Sequence, residues 1–273
     1  MGALLALASA VAYGLADVAG GLLSRRANFA AVALAGQLGG LVLALLLVPV
    51  LPASGLGAAD LAWGALSGVG TGLGMLYLYK GLSRGAMSVV VPVSAVGGVA
   101  LPVVVGVAFL GDRPTLLASA GIGFAVPALW LVSRTGEGSA SAPAALDGLI
   151  AGAGIALQYL ALAQAGPEAG VWPVVAGRVG AAVTVLPLAA TAARPGLKDT
   201  LAAAGTGGLA ALALVFYMAA ARQQLLVIAV VLASLYPVIP VLLGLTALRE
   251  RLSRAQALGL AGAAAAIGLL TLG

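Results

Sequence analysis

The chain contains no cysteine and no histidine, and only 8% of its 273 residues are charged. Without thiols there is no disulfide, no cysteine nucleophile and no thiolate metal site. Without imidazole there is no histidine base, proton relay or histidine metal ligand. Any ionisable chemistry falls to Asp, Glu, Lys, Arg or Tyr, and neither a cofactor nor a metal is expected. A soluble domain carries about 25% charged residues, so the scarcity of charge excludes that class. Aromatic residues are also few, at 5%, and no basic stripe interleaves with them, so the net charge of +5 marks no nucleic-acid surface. No Walker A sequence occurs, which excludes an ATP-driven pump within this chain. The glycine clusters, GQLGG at 36–40 among them, lie in apolar runs without a strand-turn-helix context and read as packing.

What fills the chain instead is apolar: 62% of residues are hydrophobic and the mean hydropathy is +1.16. This predicts an all-α integral membrane protein. A crossing helix needs about 20 apolar residues, and ten runs qualify, at 3–23, 30–51, 61–81, 87–110, 115–132, 146–165, 170–190, 201–221, 225–248 and 255–272. No positive residue precedes the first run and Asp17 interrupts it, so it is expected to stay in the fold and not to be cleaved as a signal. Arg25, Arg26, Lys80, Arg84, Arg134, Arg194, Lys198, Arg249, Arg251 and Arg254 fall on one side of this arrangement, and only Arg113 and Arg222 on the other. The basic side is expected to be cytoplasmic, in a plasma or inner membrane, with both termini outside.

The run VVVPVSAVGGVALPVVVGVAFLGDR at 89–113 recurs as IAVVLASLYPVIPVLLGLTALRER at 228–251. Pro102 answers Pro240, Gly106 answers Gly244, Asp112 answers Glu250 and Arg113 answers Arg251, at a constant offset of 138. The same offset pairs Gly14 with Gly152, Pro49 with Pro187, Gly70 with Gly208, Arg84 with Arg222 and Gly121 with Gly259. The expected organisation is a five-helix unit at 1–134, a cytoplasmic linker at 135–145 and a second five-helix unit at 146–273. An odd helix number inserts the second unit upside down. Two inverted halves around a central cavity are the design of an alternating-access transporter.

The 5+5 repeat, the short connection KGLSRGAMS and the fourth-helix ending LGDRPT with its counterpart LRERLS resemble the drug/metabolite transporter superfamily, in particular its ten-helix EamA-type members. The resemblance covers nearly the whole chain and its motifs, at helix ends and packing faces, are almost silent about substrate. It implies gradient-linked movement, mostly export, of amino acids, amines or related small metabolites, with protons as a coupling ion. It also implies a cavity built from the first, third, fourth, sixth, eighth and ninth helices.

Candidate site residues follow from charge and position. A charged side chain inside a bilayer costs several kcal/mol unless paired or hydrated, and Asp17 and Arg178 lie well inside apolar runs. Asp17 is expected either to bind a cationic substrate group or the coupling proton, or to form a structural ion pair with Arg178 or Lys80. Arg178 is read mainly as structural. Lys80 is a substrate contact or a snorkelling orientation signal. Tyr13, Tyr77, Gln158, Tyr159, Tyr217, Ser234 and Tyr236 lie on the expected cavity helices and suit a mostly apolar pocket, core packing being the alternative. Trp63, Trp130 and Trp172 fit an interfacial belt. Pro92, Pro102, Pro237 and Pro240 are either gating kinks or packing devices. Gly36/Gly40, Gly64/Gly68 and Gly70/Gly74 are small-xxx-small pairs for close helix contact. Asp112 and Glu250, expected at opposite faces, read as helix-end contacts.

The function expected from all this is secondary transport of a neutral, zwitterionic or singly cationic organic solute, by a monomer or weak homodimer. The rival readings are a lipid-handling or assembly subunit and a membrane-embedded enzyme. Absent His and Cys and scattered carboxylates argue against the enzyme. The expected partners are the solute, the lipid bilayer and protons.

Overall fold

A computed structural model describes residues 1–83, 87–133, 142–239 and 253–272. Among them every regular element is helical. The order is α1 (Gly2–Ser24), α2 (Phe29–Leu47), α3 (Ala58–Ser83), α4 (Met87–Ala108), α5 (Leu116–Ser133), α6 (Ala142–Ala163), a 3-10 turn (Pro167–Ala169), α7 (Trp172–Ala189), α8 (Leu197–Ala221), α9 (Leu226–Ala233) and α10 (Arg254–Leu272). Six helices, α1, α2, α3, α6, α7 and α8, are long and apolar enough to cross a membrane by length and composition. Shorter apolar stretches lie in the others, at Val93–Ala108, Leu116–Leu131 and Ala257–Leu269. These lengths and compositions fit an all-helical membrane protein.

Polar side chains set several helix boundaries. Asn28 starts α2 by accepting from the Ala30 amide at 2.9 Å, which occupies one of the donors a helix start leaves open. Asp112 does the same across the chain. Its Oδ2 accepts from Val227 N at 2.9 Å in the first turn of α9, where a carboxylate also meets the positive end of the helix dipole. The acid of LGDR is thus a helix-end contact, reached through a turn at Gly111, whose φ of 76° is open to glycine.

Two sequence expectations change. The ninth run, expected to be one helix over 225–248, is interrupted: α9 ends at Ala233, residues 234–237 form a turn, and residues 238–239 are helical again. Pro237 has no N–H for the Ala233 carbonyl, so one ladder bond is missing at this turn. Pro92 and Pro102, by contrast, lie within a continuous α4. The second change is α6, which begins at Ala142, so that Asp147 lies inside the helix, not at its edge. Arg84, the stretch 134–141 that holds most of the expected linker, Pro240, Gly244, Arg249, Glu250 and Arg251 lie outside the described residues.

The helices associate across the two sequence halves. α3 packs along α6 and α7, and α8 packs along α1 and α2. α4 lies on α6 and α1 on α9, while α5 pairs with α10, α2 with α7 and α4 with α9. All three small-xxx-small pairs serve these contacts. Gly36 and Gly40 meet Gly207 of α8, Gly64 and Gly68 meet Pro173 and Gly177 of α7, and Gly70 and Gly74 meet α6 near Gly154 and Ala151. Lipid offers helices no hydrophobic drive to associate, so backbone approach through glycine supplies dispersion contact in its place.

A pair of substitutions in α8 isolates this effect. A methyl group at Gly207 would land on the Gly36 carbonyl, whereas one at Gly205 would meet nothing within 4 Å. Gly207→Ala is expected to lower stability by about 1–3 kcal/mol through overpacking. Gly205→Ala is expected to be neutral or to gain up to about 1 kcal/mol of helix propensity. Denaturant unfolding in detergent micelles measures both; equal midpoints would remove the α2–α8 glycine contact from the account.

Candidate functional site

α1 and α3 carry helical stripes that meet in the middle of the bundle. On α1, Tyr13 and Asp17 are four residues apart and share a face. On α3, Thr71, Gly74, Met75 and Leu78 repeat at helical spacing, as do Ile155, Gln158 and Tyr159 on α6. These residues, with Tyr236 from the turn after α9, line one narrow cavity of about 20 Å³. That is room for about one water molecule in this conformation.

A hydrogen-bonded chain holds the wall. Gln158 Nε2 donates to the Tyr13 hydroxyl at 2.8 Å, and Thr71 Oγ1 donates to Gln158 Oε1 at 2.7 Å. Ser67 Oγ donates to the Gln158 carbonyl at 2.9 Å, adding a second tie between α3 and α6. The tyrosines form the apolar part of the wall. Tyr13 meets Tyr159 edge-on at 6.3 Å and Tyr236 at 6.5 Å, and Tyr159 lies 4.4 Å from Tyr217, all between ring centroids. Tyr217 stands behind the cavity and donates its hydroxyl to the Tyr159 carbonyl at 2.9 Å. Tyr79, a turn beyond the cavity on α3, is buried with its hydroxyl against Gly20 of α1.

Asp17 is the exception in this wall. It is half-buried, faces the cavity, and makes neither a hydrogen bond nor an ion pair with any described residue. The two cations that the sequence offers it are engaged elsewhere. Lys80 Nζ pairs with Asp147 Oδ1 at 2.8 Å and lies 4.8 Å from the Tyr77 ring centroid. Arg178, 1% exposed on α7, donates to Gln37 Oε1 at 3.0 Å and to the Ala210 carbonyl at 3.2 Å.

Of the residues singled out from sequence, the cavity gathers Tyr13, Asp17, Gln158, Tyr159 and Tyr236, with Tyr217 directly behind. Lys80 and Tyr77 stand together on α3, bridged to α6 and outside the lining. Ser234 is buried in the turn after α9 and also does not line the cavity. Pro102 is buried within α4 and Pro237 closes the turn. Trp63 and Trp130 are exposed near helix ends. Thr71, Ser67, Gln37, Tyr79 and Asp147 were not singled out. For Thr71 the signal was its spacing to Gly74 and Leu78; for Asp147 it was its distance from the helix start at Ala142.

The two ends of the bundle are tied differently. Beyond the Lys80–Asp147 pair lies one end. At the other, Asp60 accepts from Gly166 N at 2.7 Å and Gly57 N at 2.9 Å, while Arg222 donates to the Gly166 carbonyl at 2.9 Å. The connection between α6 and α7 is therefore held by α3 and by the end of α8.

Lys80→Ala removes the ammonium that pairs with Asp147, a 5% exposed carboxylate. The expected loss is roughly 1–3 kcal/mol of stability, and the Lys80→Ala/Asp147→Ala double variant should lose less than the sum of the singles. A double-mutant cycle by unfolding in detergent measures it, and strict additivity would dissolve the pair.

No family profile matches the chain, and no curated protein sequence matches it. A solved structure described only as "Crystal structure of protein" is similar, with a TM-score of 0.67 over 99% of this chain and 96% of that one, and 18% of residues identical. At that identity the likeness speaks for the fold alone.

Proposed function

We propose that this protein is a secondary active transporter that carries a small organic solute, an amino acid, amine or related metabolite, through the cavity by alternating access. The observation that carries the reading is Asp17: a carboxylate at membrane depth, facing a tyrosine-walled cavity, with no cation paired to it among the described residues. Such a group needs a visiting positive charge or a proton. An ammonium group of the solute supplies the first; proton uptake from one side and release to the other supplies the second.

The helix neighbours support two inverted five-helix halves. The α3–α6 and α3–α7 pairs of the bundle reappear, five helices on, as α8–α1 and α8–α2; α4–α6 reappears as α9–α1. The equivalent glycines sit in these equivalent contacts, with the partner shifted by one helical turn. Gly14 packs against the Tyr236 carbonyl and Ile239, and Gly152, 138 positions later, packs against the Ser94 carbonyl and Gly97. Residues 40 and 178, which the offset also pairs, touch each other where α2 crosses α7. An arrangement of this kind has two equivalent ways of tilting, each opening the cavity to one side. In this reading Lys80–Asp147 and the Asp60–Gly166–Arg222 cluster are the ties that alternate at the two ends.

Tyr13 and Gln158 position the solute in this scheme. Both amide groups of Gln158 are already bonded, which leaves the Tyr13 proton free to meet a solute acceptor. The tyrosine rings suit an apolar or aromatic solute body. The cavity collects too little positive charge for a phosphorylated solute, which calls for clustered Arg or Lys.

Flux of pooled labelled amino acids and amines into proteoliposomes, with and without a pH gradient, tests the reading. Wild type is expected to show gradient-stimulated flux. Asp17→Asn keeps the side chain's shape and removes its charge, so it is expected to fold normally and lose that flux. Full-rate flux in Asp17→Asn, with the same pH response, would refute the role given to Asp17.

A further inference from the structure

The break after α9 leaves more than a bend. Pro237 has no N–H to give, the Leu235 amide turns to the Leu232 carbonyl at 3.3 Å, and the Val238 amide turns to the Leu235 carbonyl at 3.1 Å. In consequence the carbonyls of Val231, Ala233 and Ser234 receive no hydrogen bond among the described residues. None of the three residues is more than 1% exposed. The Ser234 hydroxyl in the same turn is buried and without a partner, and so is the Ser9 hydroxyl on α1, the helix that packs against α9.

Unsatisfied buried oxygens are costly, about 1–3 kcal/mol each, and here several acceptors crowd four consecutive residues. Water relieves such a cluster only partly. A cation relieves it fully, because it needs lone pairs and no donors. The end of α9 adds the negative pole of its helix dipole. Interrupted helices that expose carbonyls inside a membrane protein are sites where coupling cations bind.

The ligand chemistry selects the ion. All candidate ligands are neutral oxygens, and no group of three or more His, Cys, Asp or Glu residues that could hold a metal occurs among the described residues. A divalent ion would call for carboxylates. A monovalent ion fits, and Tyr236, in the same turn, lines the cavity that Asp17 also lines. The arrangement belongs to one half of the chain. Position 99, which the offset pairs with Pro237, is a valine inside the continuous α4.

We propose that the turn after α9 binds a sodium ion, with the Ser234 hydroxyl and the carbonyls of Val231, Ala233 and Ser234 as its candidate ligands. The site gives the protein a cation-binding step separate from protonation of Asp17.

Thermal unfolding of the purified protein in detergent, at fixed ionic strength in sodium, potassium or choline chloride, tests this without any solute. Sodium is expected to raise the midpoint saturably, and potassium and choline are not. Ser234→Ala should weaken the apparent sodium affinity by about tenfold or more. Pro237→Ala, which supplies an N–H for the Ala233 carbonyl, should do the same, and it guards against a folding defect peculiar to the first variant. Equal midpoints in all three salts overturn the site, and so does a sodium effect that survives both substitutions. Because no solute is present, that failure would leave the transport reading of Asp17 standing, while loss of flux in Asp17→Asn would leave the sodium result standing.

Discussion

A chain that spans lipid must satisfy its backbone polar groups from within, since the hydrocarbon offers neither donors nor acceptors. The rest of this structure depends on that constraint. It makes every described element a helix, and it transfers the problem of assembly from hydrophobic burial to close contact between helix backbones. Glycine answers the second demand. The contacts of Gly207 with Gly36, Gly177 with Gly64, and Gly154 with Gly70 all join one half of the sequence to the other, so the residues that compact the bundle also bind its two halves together.

Where polar groups are left unmatched in such a bundle, the exceptions carry information. Lys80 and Asp147 meet each other, and the guanidinium of Arg178 rests on an amide and a carbonyl. Among the described residues Asp17 has no hydrogen bond or ion pair, and the turn at 234–237 leaves acceptors open. Both exceptions adjoin one cavity, one through its carboxylate and one through Tyr236. Packing alone gives no reason to keep a lone carboxylate there or two prolines three positions apart. The proposed transport cycle gives both a use, as places where positive charge enters and leaves.

Sequence reasoning reached the helical class because hydropathy and length are local properties that a bilayer reads directly. It reached Tyr13, Asp17, Gln158, Tyr159 and Tyr236 because few polar groups interrupt the apolar runs, and the survivors stand out. Thr71 and Ser67 were harder to see. A threonine or serine in a membrane helix commonly bonds its own preceding turn, as Thr71 does to Ser67 at 3.0 Å. Nothing local reveals that its hydroxyl also reaches Gln158. The ninth helix misled for a related reason, since Pro92 and Pro102 sit in an unbroken helix while Pro237 sits in the turn that interrupts the ninth run.

What the sequence by itself determined is the solvent this protein is built for, the positions of its long helices, the glycine faces on which they approach, and the short list of polar groups able to act within them. Each follows from composition and spacing along one helix. Only the tertiary structure decided which polar groups meet. It gave Lys80 to Asp147 and Arg178 to Gln37, set Asp17 in the cavity wall unpaired among the described residues, and brought Tyr236, in the turn after α9, to the same cavity. Pairing depends on how neighbouring helices are rotated and shifted, and a rotation of one residue, about 100° of helix, redirects a side chain entirely. That choice is made by all the contacts of the bundle together, and no single stretch of sequence records it.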